Sequence, residues 1–328
     1  MIYLLIHLFI YSFIHLMELT KYHKIYTDLV HYGFTEHQHK IINKETFIAL
    51  EKIDGANFSI YINGSGSGSG SGSEIFFASR NRILANTDDF FKYHEIKNNL
   101  ELYSKNVFLK INRPIIIYGE LIGPHINKRI FYSNNINYIV YDIFLIDEKK
   151  FVSRNNFELY MYKSGFNVLP ILYSGYMHEI TSRDTKFNST IPLLLKEQCQ
   201  STENMCEGIV IKPETDLMFD GIRPIIKTIN SQFKDINCFK LKNNSPHKRH
   251  VREIFNYLIN DNRIHNVMSK YDNINAEELV DAVADDIISD LYQFPDINMS
   301  GNYDDHIKFL KDKIKIFIDK LEIKLTFN

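Results

Sequence analysis

The chain has 328 residues, of which 45% are hydrophobic and 24% charged, so it is neither a disordered nor a collagen-like sequence and can form one large domain or two smaller ones. The formal net charge is -2, which excludes nucleic-acid binding through an overall basic field and leaves only local clusters of Lys and Arg for such a role. Three cysteines without a CxxC pair indicate a reducing compartment and predict neither a disulfide nor a structural zinc site.

The first 16 residues contain no Asp, Glu, Lys or Arg. This apolar stretch is shorter than the roughly 20 residues of a membrane-spanning helix and lacks a basic leading region. We interpret residues 1–16 as an extension and expect the functional chain to begin near Met17, with a secretory signal peptide as the alternative. We therefore expect no membrane partner and a cytoplasmic or other reducing intracellular location, which includes an organelle or a virus-infected cell.

Residues 17–243 carry the alternation of apolar and polar side chains that is typical of β-strands. A Gly-Ser repeat at 64–73 is a flexible linker by composition, and a strand-like run lies on each side of it. We predict a hairpin with the repeat as its loop, because a domain boundary here would leave each strand unpaired. Further strands, rich in Ile and Val, are predicted over 113–123, 137–147, 206–213 and 223–230.

Over residues 244–328 the apolar residues recur at spacings of three and four, which predicts helices. Asp304 and Asp305 are expected to open the last helix at the positive end of its dipole. A basic stretch at 239–252 lies at the junction between the two patterns. The predicted fold class is α+β, with an antiparallel-sheet-rich domain followed by a small all-helical carboxy-terminal domain.

Lys52 lies in the sequence EKIDG, directly before an alternating apolar run. A lysine becomes a useful nucleophile only when desolvation or neighbouring cations lower its pKa. Gly55 permits a close backbone approach, and the following strand would fix the turn that carries the lysine. Taken alone the pattern is short, and a solvated lysine at the start of a strand explains it as well.

Further polar residues recur at the ends of the predicted strands. Arg80 follows the strand after the Gly-Ser repeat, Glu120 follows an apolar run, and Glu207 and Lys212 flank another strand. These positions indicate one cleft lined by carboxylates and cations. Carboxylates in such a cleft suit magnesium, whereas Arg and Lys suit phosphate oxygens.

Six short motifs follow one another along the chain. They are EKIDGAN, ASRN, IIIYGE, YIVYDI, EGIVIKP and RPIIKTINSQF. The ordered set resembles the nucleotidyltransferase motifs of the covalent lysyl-AMP ligases, most closely the RNA ligase 2 family. Residues 260–290 look like that family's own helical carboxy-terminal domain, so the resemblance extends from near Met17 to the end. It implies an ATP-grasp-like ligase domain for the sheet-rich part.

The resemblance implies a role for each matching residue. Lys52 would take AMP from ATP as a phosphoramidate, and Glu207 would bind the catalytic Mg²⁺ or Mn²⁺. Glu120 would hold a ribose hydroxyl and Tyr141 would stack on adenine, with a salt bridge and core packing as their respective alternatives. Lys227 would contact the α-phosphate and lower the pKa of the nucleophile. The other residues expected at the nucleotide are Glu51, Asn57, Arg80 and Lys212, and those expected at nucleic acid are Lys240, Lys242 and Arg263.

Two departures from the family pattern concern function. Asp54 stands where many members have His, so this motif says little about RNA versus DNA. The family usually has a second basic residue two positions after the motif lysine Lys227, but that position here holds Ile229. Either Lys240 or Lys242 supplies the missing charge, or one phosphate contact is lost and one chemical step is slow.

The resemblance implies an ATP-dependent RNA ligase that joins 3′-OH and 5′-phosphate ends. Its substrates would be nicks in duplex RNA or RNA ends held on a bridging strand. It would act as a monomer in RNA repair or end joining. A DNA ligase or an mRNA capping guanylyltransferase shares the lysine chemistry. Each of these usually continues into a β-rich OB fold, which the helical pattern after residue 250 argues against. A catalytically weak RNA-binding relative is the other alternative, and Ile229 favours it.

Overall fold

The computed structural model describes residues 20–64, 74–124, 126, 129–199, 201–233, 255, 258–268, 271, 274–291 and 303–320. The strands are β1 (Thr46–Glu51), β2 (Ala56–Asn63), β3 (Glu74–Ser79), β4 (Ile115–Ile122), β5 (Asn137–Leu145), β6 (Lys150–Phe151), β7 (Asn167–Val168), β8 (Ile171–Tyr176), β9 (Gly208–Pro213) and β10 (Ile226–Ile229). The α-helices are α1 (Glu36–Ile42), α2 (Lys97–Ile111), α3 (Arg154–Met161), α4 (Met177–Thr181), α5 (Ile191–Leu194), α6 (Asp261–Met268), α7 (Ala276–Leu291) and α8 (Tyr303–Lys320). Short 3-10 helices cover Val30–Tyr32, Tyr93–Glu95 and Ser231–Phe233.

Two mainly antiparallel sheets form the first part of the chain. The smaller sheet has the strand order β10-β9-β1-β8, and the larger has the order β3-β2-β4-β5-β6, with β7 pairing in parallel with β5. Strands β1 and β2 belong to different sheets, so the turn between them, residues 52–55, connects the two. The prediction of an antiparallel-sheet-rich domain is confirmed.

The predicted hairpin around the Gly-Ser repeat is present. Strand β2 pairs with β3 in antiparallel register, with Asn63 opposite Glu74 on either side of the repeat. On its other edge β2 pairs with β4, so that Asn57 lies opposite Glu120. The central position of β2 therefore brings three of the sequence motifs onto neighbouring strands.

One hydrophobic cluster joins the two sheets beside the turn at residues 52–55. It contains Ile48 and Leu50 from β1, Ile53 from the turn itself, Ile122 from β4 and Ile139 from β5, all of them buried. Full burial of such a side chain stabilises the fold by about 1.5–3 kcal/mol relative to exposure. This packing fixes the turn that carries Lys52 against both sheets.

Gly55 meets the requirement for a close backbone approach. A Cβ atom at this position would lie 2.5 Å from the carbonyl oxygen of Leu121 and 2.6 Å from Cγ of Glu120. Any side chain at residue 55 would push the turn away from β4. The glycine therefore allows the turn that carries Lys52 to lie close to Glu120 on β4.

Helices α2 and α3 have no counterpart among the predicted elements. Helix α2 buries only a narrow stripe, formed by Leu100, Ser104, Val107 and Ile111. Its exposed surface includes Leu102 and Leu109 beside Asn and Lys residues, so the helical period is weak in the sequence. Both helices pack on the larger sheet through one common core.

The described helices after residue 255 share a hydrophobic cluster of their own. Buried residues at three and four spacing, including Leu279 and Val283 of α7 and Leu310 and Ile314 of α8, form its centre. Asp304 and Asp305 lie in the first turn of α8, as predicted. The helical character of this part is confirmed, whereas the boundary at residues 243 and 244 and the extension at 1–16 lie outside the described residues.

Arg263 is largely buried among the carboxy-terminal helices. Its side chain is 8% exposed, and its Nη1 lies 2.6 Å from Oδ2 of Asp286 on α7. A buried guanidinium needs a carboxylate partner because an unpaired buried charge is costly. Arg263 therefore takes part in the pairing of α6 with α7, and its contact with nucleic acid stays a prediction.

Among the described residues, no helix has both the length and the apolar character needed to cross a membrane.

Candidate active site

Lys52 lies in the turn between β1 and β2, at the junction of the two sheets. Its backbone N–H donates a hydrogen bond of 2.9 Å to the carbonyl oxygen of Gly208. Its Nζ lies 2.5 Å from Oε2 of Glu207. Strands β1 and β9 are antiparallel, with Glu51 opposite Ile209. The next residue along β1, Lys52, therefore lies opposite Gly208 and beside Glu207.

Charges of both signs surround this pair. Burial raises the pKa of Glu207, and the nearby Asp54 carboxylate adds to this rise. The cations Lys52 and Arg129 oppose it. Asp54 is itself ion-paired with Arg129 at 3.3 Å. The Arg129 guanidinium also lies 5.2 Å from the centre of the Phe233 ring, within cation–π range. Arg129 is absent from the predicted site residues because its sequence surroundings match no motif.

Glu120 and Asn57 lie on paired strands at the same level. Burial raises the pKa of Glu120 to about 8, with Lys52 opposing, Glu207 adding and Arg80 opposing the shift. Arg80, at the exposed end of β3, is therefore within electrostatic range of Glu120. The structure thus brings the predicted residues Lys52, Glu120, Glu207 and Arg80 into one electrostatically coupled group.

Tyr141 lies across from Asn57 and is half-buried. Its hydroxyl accepts a hydrogen bond of 2.9 Å from Nδ2 of Asn57. Its ring forms a T-shaped pair with that of Tyr22, at a centroid distance of 5.2 Å and an interplanar angle of 78°. An aromatic ring is therefore held beside the strand that follows the Lys52 turn.

These groups supply the parts that phosphoryl transfer requires. An amine can act as a nucleophile, cations can bind phosphate oxygens, and carboxylates can bind a divalent cation or a ribose hydroxyl. Most of them are carried by strands, by strand ends or by the turn at residues 52–55, whereas Arg129 lies in the loop between β4 and β5.

A model of the family described as RNA ligase matches residues 45–229, more than half of the chain. The chain belongs to the RNA ligase family. The match begins directly before β1 and ends with β10, so it includes both sheets and the turn that carries Lys52.

The chain is also similar to a viral protein and to solved structures of lower identity. The protein Early 65 kDa of Autographa californica nuclear polyhedrosis virus is 24% identical over 199 residues, which are 60% of this chain and 32% of the relative. A Naegleria gruberi RNA ligase mutant with ATP and Mn is 16% identical, with a TM-score of 0.49, over 69% of this chain and 59% of that one. The same ligase with PPi is 17% identical, with a TM-score of 0.48, over 66% and 58%. The chain spans about one third of the viral relative and less than two thirds of the Naegleria ligase.

In this member of the RNA ligase family, Lys212 lies behind the site and not at its surface. The side chain is 3% exposed, and its ammonium binds Oδ1 of Asp142 at 2.7 Å and donates to the carbonyl oxygen of Tyr141 at 2.6 Å. Arg223 shares the same Asp142 oxygen at 3.0 Å. Burial lowers the pKa of Lys212 to about 7, with Asp142 opposing the shift and Arg223 adding to it. In this structure Lys212 supports Tyr141, and its contact with the nucleotide stays a prediction.

Glu51 is also turned into the interior. Its Oε2 accepts hydrogen bonds of 2.7 Å from both the backbone N–H and the hydroxyl of Thr190. Burial raises the pKa of this carboxyl, and the Ser189 and Thr190 donors oppose the shift. The contact joins β1 to the start of α5, which differs from the predicted position beside the nucleotide.

The predicted lysines after Glu207 are only partly within the described residues. Lys227 lies on β10, opposite Val210 of β9, and its backbone N–H donates to the carbonyl oxygen of Tyr26 at 2.9 Å. Its side chain is half-buried. Lys240 and Lys242 lie outside the described residues, so the replacement of the charge missing at Ile229 stays a prediction.

The carboxylates at this site fit a divalent cation whose other ligands are supplied by substrate and water. Within the part of the chain that the structure describes, no three His, Cys, Asp or Glu residues are grouped closely enough to hold a metal ion by themselves. Glu207 provides one carboxylate, close enough to Asp54 for each to affect the other. Magnesium bound with nucleotide phosphates commonly uses one or two carboxylates, so this donor set is sufficient.

Proposed function

We propose that the chain is an ATP-dependent RNA ligase that joins 3′-OH and 5′-phosphate ends through a lysyl-AMP intermediate. Its substrates would be nicks in duplex RNA, or RNA ends held on a bridging strand, and its role would be RNA repair or end joining as a monomer. The observation that carries the proposal is the contact between Lys52 and Glu207, 2.5 Å apart in the turn that joins the two sheets.

The first step would form the bond between AMP and the chain. The neutral amine of Lys52 attacks the α-phosphorus of ATP, an N–P bond forms, and the bond to the bridging oxygen breaks as pyrophosphate leaves. In the contact with Glu207, the Lys52 nitrogen donates a hydrogen bond to the carboxylate. That contact must therefore open, and the proton must leave, before Lys52 can attack.

The later steps would pass AMP to the RNA and then release it. An oxygen of the RNA 5′-phosphate attacks the phosphorus of the adenylate, and the N–P bond to Lys52 breaks. The 3′-OH then attacks the RNA 5′-phosphorus, a phosphodiester forms and AMP leaves. Lys52 recovers a proton in the second step, which allows its contact with Glu207 to form again.

Other residues of the site would bind the substrates. Tyr141 is suited to stack on the adenine ring and Glu120 to bind a ribose hydroxyl. Arg80 and Lys227 are suited to phosphate oxygens, and Arg129 adds a further cation beside Asp54. Mg²⁺ or Mn²⁺ at Glu207 would neutralise charge on the phosphate oxygens.

The described residues of the carboxy-terminal part favour an RNA ligase over two enzymes of similar chemistry. A DNA ligase or a capping guanylyltransferase would be expected to continue into an OB fold, which is made of β-strands. Helices α6, α7 and α8 instead share one core. Ile229, which stands where the family usually has a second basic residue, supports a different candidate. That candidate is an RNA-binding relative that has lost one chemical step.

One experiment separates these possibilities. The full chain is incubated with magnesium and with ATP, GTP or NAD labelled in the nucleotide that would be transferred, and the label on the denatured chain is measured. The same protein is then given a nicked duplex with RNA or DNA at the nick. Label from ATP alone and joining of the RNA nick support the proposal. Label from GTP or NAD, or no label with retained RNA binding, would identify one of the alternatives.

A further inference from the structure

A segment that precedes the family match crosses both sheets. This N-terminal strap comprises Thr20–Tyr26, whereas the match begins at residue 45. At one end the carbonyl oxygen of Thr20 accepts hydrogen bonds from the hydroxyls of Tyr61 at 2.9 Å and Tyr118 at 2.6 Å, on the larger sheet. At the other end Tyr26 forms a parallel bridge with Ile226 of the smaller sheet.

Tyr22, in the middle of the strap, packs against the ring proposed to bind adenine. Its ring forms a T-shaped pair with Tyr141 at a centroid distance of 5.2 Å, and similar pairs with Tyr118 at 5.1 Å and Phe151 at 5.6 Å. Edge-to-face pairs of this kind are favourable and directional. Tyr22 therefore restricts the orientation of Tyr141 from outside the strand that carries it.

The hydroxyl of Tyr22 reaches the residue next to Tyr141. It donates a hydrogen bond of 2.6 Å to Oδ2 of Asp142, while Lys212 and Arg223 occupy Oδ1 of the same carboxylate. Burial raises the pKa of Tyr22, and the neighbouring Asp142 adds to the shift, so the hydroxyl stays protonated and continues to donate. Asp142 is 2% exposed, and each of these partners offsets the cost of burying its charge.

The contacts of Tyr141 come from three separate parts of the chain. Asn57 on β2 binds its hydroxyl, Lys212 on β9 binds its carbonyl oxygen, and Tyr22 of the strap packs against its ring. Among these three residues, Tyr22 alone contributes a ring contact, and it shares the adjacent Asp142 with Lys212. The ring of Tyr141 would be less restricted without it.

We propose that Tyr22 is a positioning residue for the nucleotide base, and that the N-terminal strap is a functional part of the nucleotide site. The inference rests on the proposed function, in which Tyr141 stacks on adenine. It predicts that loss of Tyr22 weakens the binding of ATP through its base while leaving the binding of its phosphates unchanged.

The test compares full-length Tyr22→Leu, Tyr22→Phe and Tyr61→Phe with the wild type. The rate of AMP transfer to the chain is measured against ATP concentration, and inorganic tripolyphosphate, which has no base, is used as a competitor. Tyr61→Phe is the matched control because it removes one hydroxyl bond from the strap, while Tyr118 still binds the same Thr20 oxygen.

For Tyr22→Leu we expect the half-saturating ATP concentration to rise about tenfold, since the edge contact with Tyr141 is lost. The rate at saturating ATP and the inhibition by tripolyphosphate should stay within about twofold of the wild type, as should every value for Tyr61→Phe. Tyr22→Phe keeps the ring contacts, so a rise of about threefold is expected from the lost hydrogen bond.

The outcomes separate this inference from the proposed function. An unchanged half-saturating ATP concentration in Tyr22→Leu, or an equal weakening of ATP and tripolyphosphate, would overturn the role of Tyr22 alone. If Tyr22→Leu does not fold, Tyr22→Phe decides: a selective rise supports the role and no rise overturns it. A wild-type chain that takes no AMP from ATP would overturn the proposed function, and the inference with it.

Discussion

The Nζ of Lys52 lies 2.5 Å from Oε2 of Glu207, although 155 residues separate the two along the chain. The antiparallel pairing of β1 with β9 brings them together. The two side chains are 22% and 10% exposed, so water screens this ion pair only partly. In the proposed reaction Glu207 must release the lysine before the amine can attack, which makes this contact the resting state of the site.

Replacing Glu207 should abolish the transfer of AMP to the chain. Glu207→Ala removes the carboxylate proposed to bind the divalent cation, and we expect labelling from ATP to fall by at least about 100-fold. A magnesium titration should not restore it. Glu203→Ala, an exposed position on the same loop, is the control and should label normally. Normal labelling of Glu207→Ala across the titration would mean that Glu207 is only structural.

The helical part should be required for joining RNA but not for self-adenylation. The predicted nucleotide-binding residues all precede residue 243, and the helices after residue 255 share a separate core. A chain that ends at residue 243 should therefore label with AMP at about the wild-type rate. It should join a nicked RNA duplex at least about tenfold more slowly, through weaker substrate binding. Joining at the full rate would contradict a substrate role for the helices.

The lysines after Glu207 should divide between the nucleotide and the RNA. Lys227 lies on a strand paired with β9, so Lys227→Ala should lose AMP labelling. The double change of Lys240 and Lys242 to Ala should label normally, join RNA poorly and reduce the dependence of RNA binding on salt. The reverse pattern, with labelling lost only in the double variant, would move the phosphate contact to Lys240 and Lys242.

Glu120 should make stability depend on pH in the absence of nucleotide. Burial raises the pKa of Glu120 from 4.5 to about 8, so the folded state binds this proton more tightly than the unfolded state. The contribution of Glu120 to the free energy of unfolding is therefore complete below about pH 4.5 and is lost as the pH rises toward 8. In Glu120→Gln that loss is absent. Thermal unfolding at pH 5 and pH 8.5 should therefore show the variant gaining stability relative to the wild type as pH rises, and a constant difference would contradict the assignment.

The sequence predicted the strands and the positions of the charged groups better than the direction of their side chains. Alternating apolar residues correctly indicated β2 to β5, and the spacing of apolar residues correctly indicated α7 and α8. Each charged residue at a strand end, however, can point toward the site or into the interior. Lys212 and Glu51 both point inward, because Asp142 and Thr190 provide buried partners that lie far away in sequence.

Contacts between distant segments also explain what the motifs missed. Arg263 reads as a surface cation in the sequence, but Asp286 on the next helix holds it inside the bundle. Arg129 and Tyr22 match no motif, and only the tertiary structure brings them beside Asp54 and Tyr141. Periodicity can identify an element, whereas such pairs depend on how elements pack.

The proposed function depends above all on which residue carries AMP. The wild type, Lys52→Ala and the control Lys44→Ala, an exposed lysine before β1, are incubated with labelled ATP and magnesium and then denatured. The proposed lysyl-AMP reaction predicts one covalent AMP on the wild type and on Lys44→Ala, located in the peptide that contains Lys52, and no label on Lys52→Ala. Label that persists on Lys52→Ala, or that maps to another peptide, would contradict it.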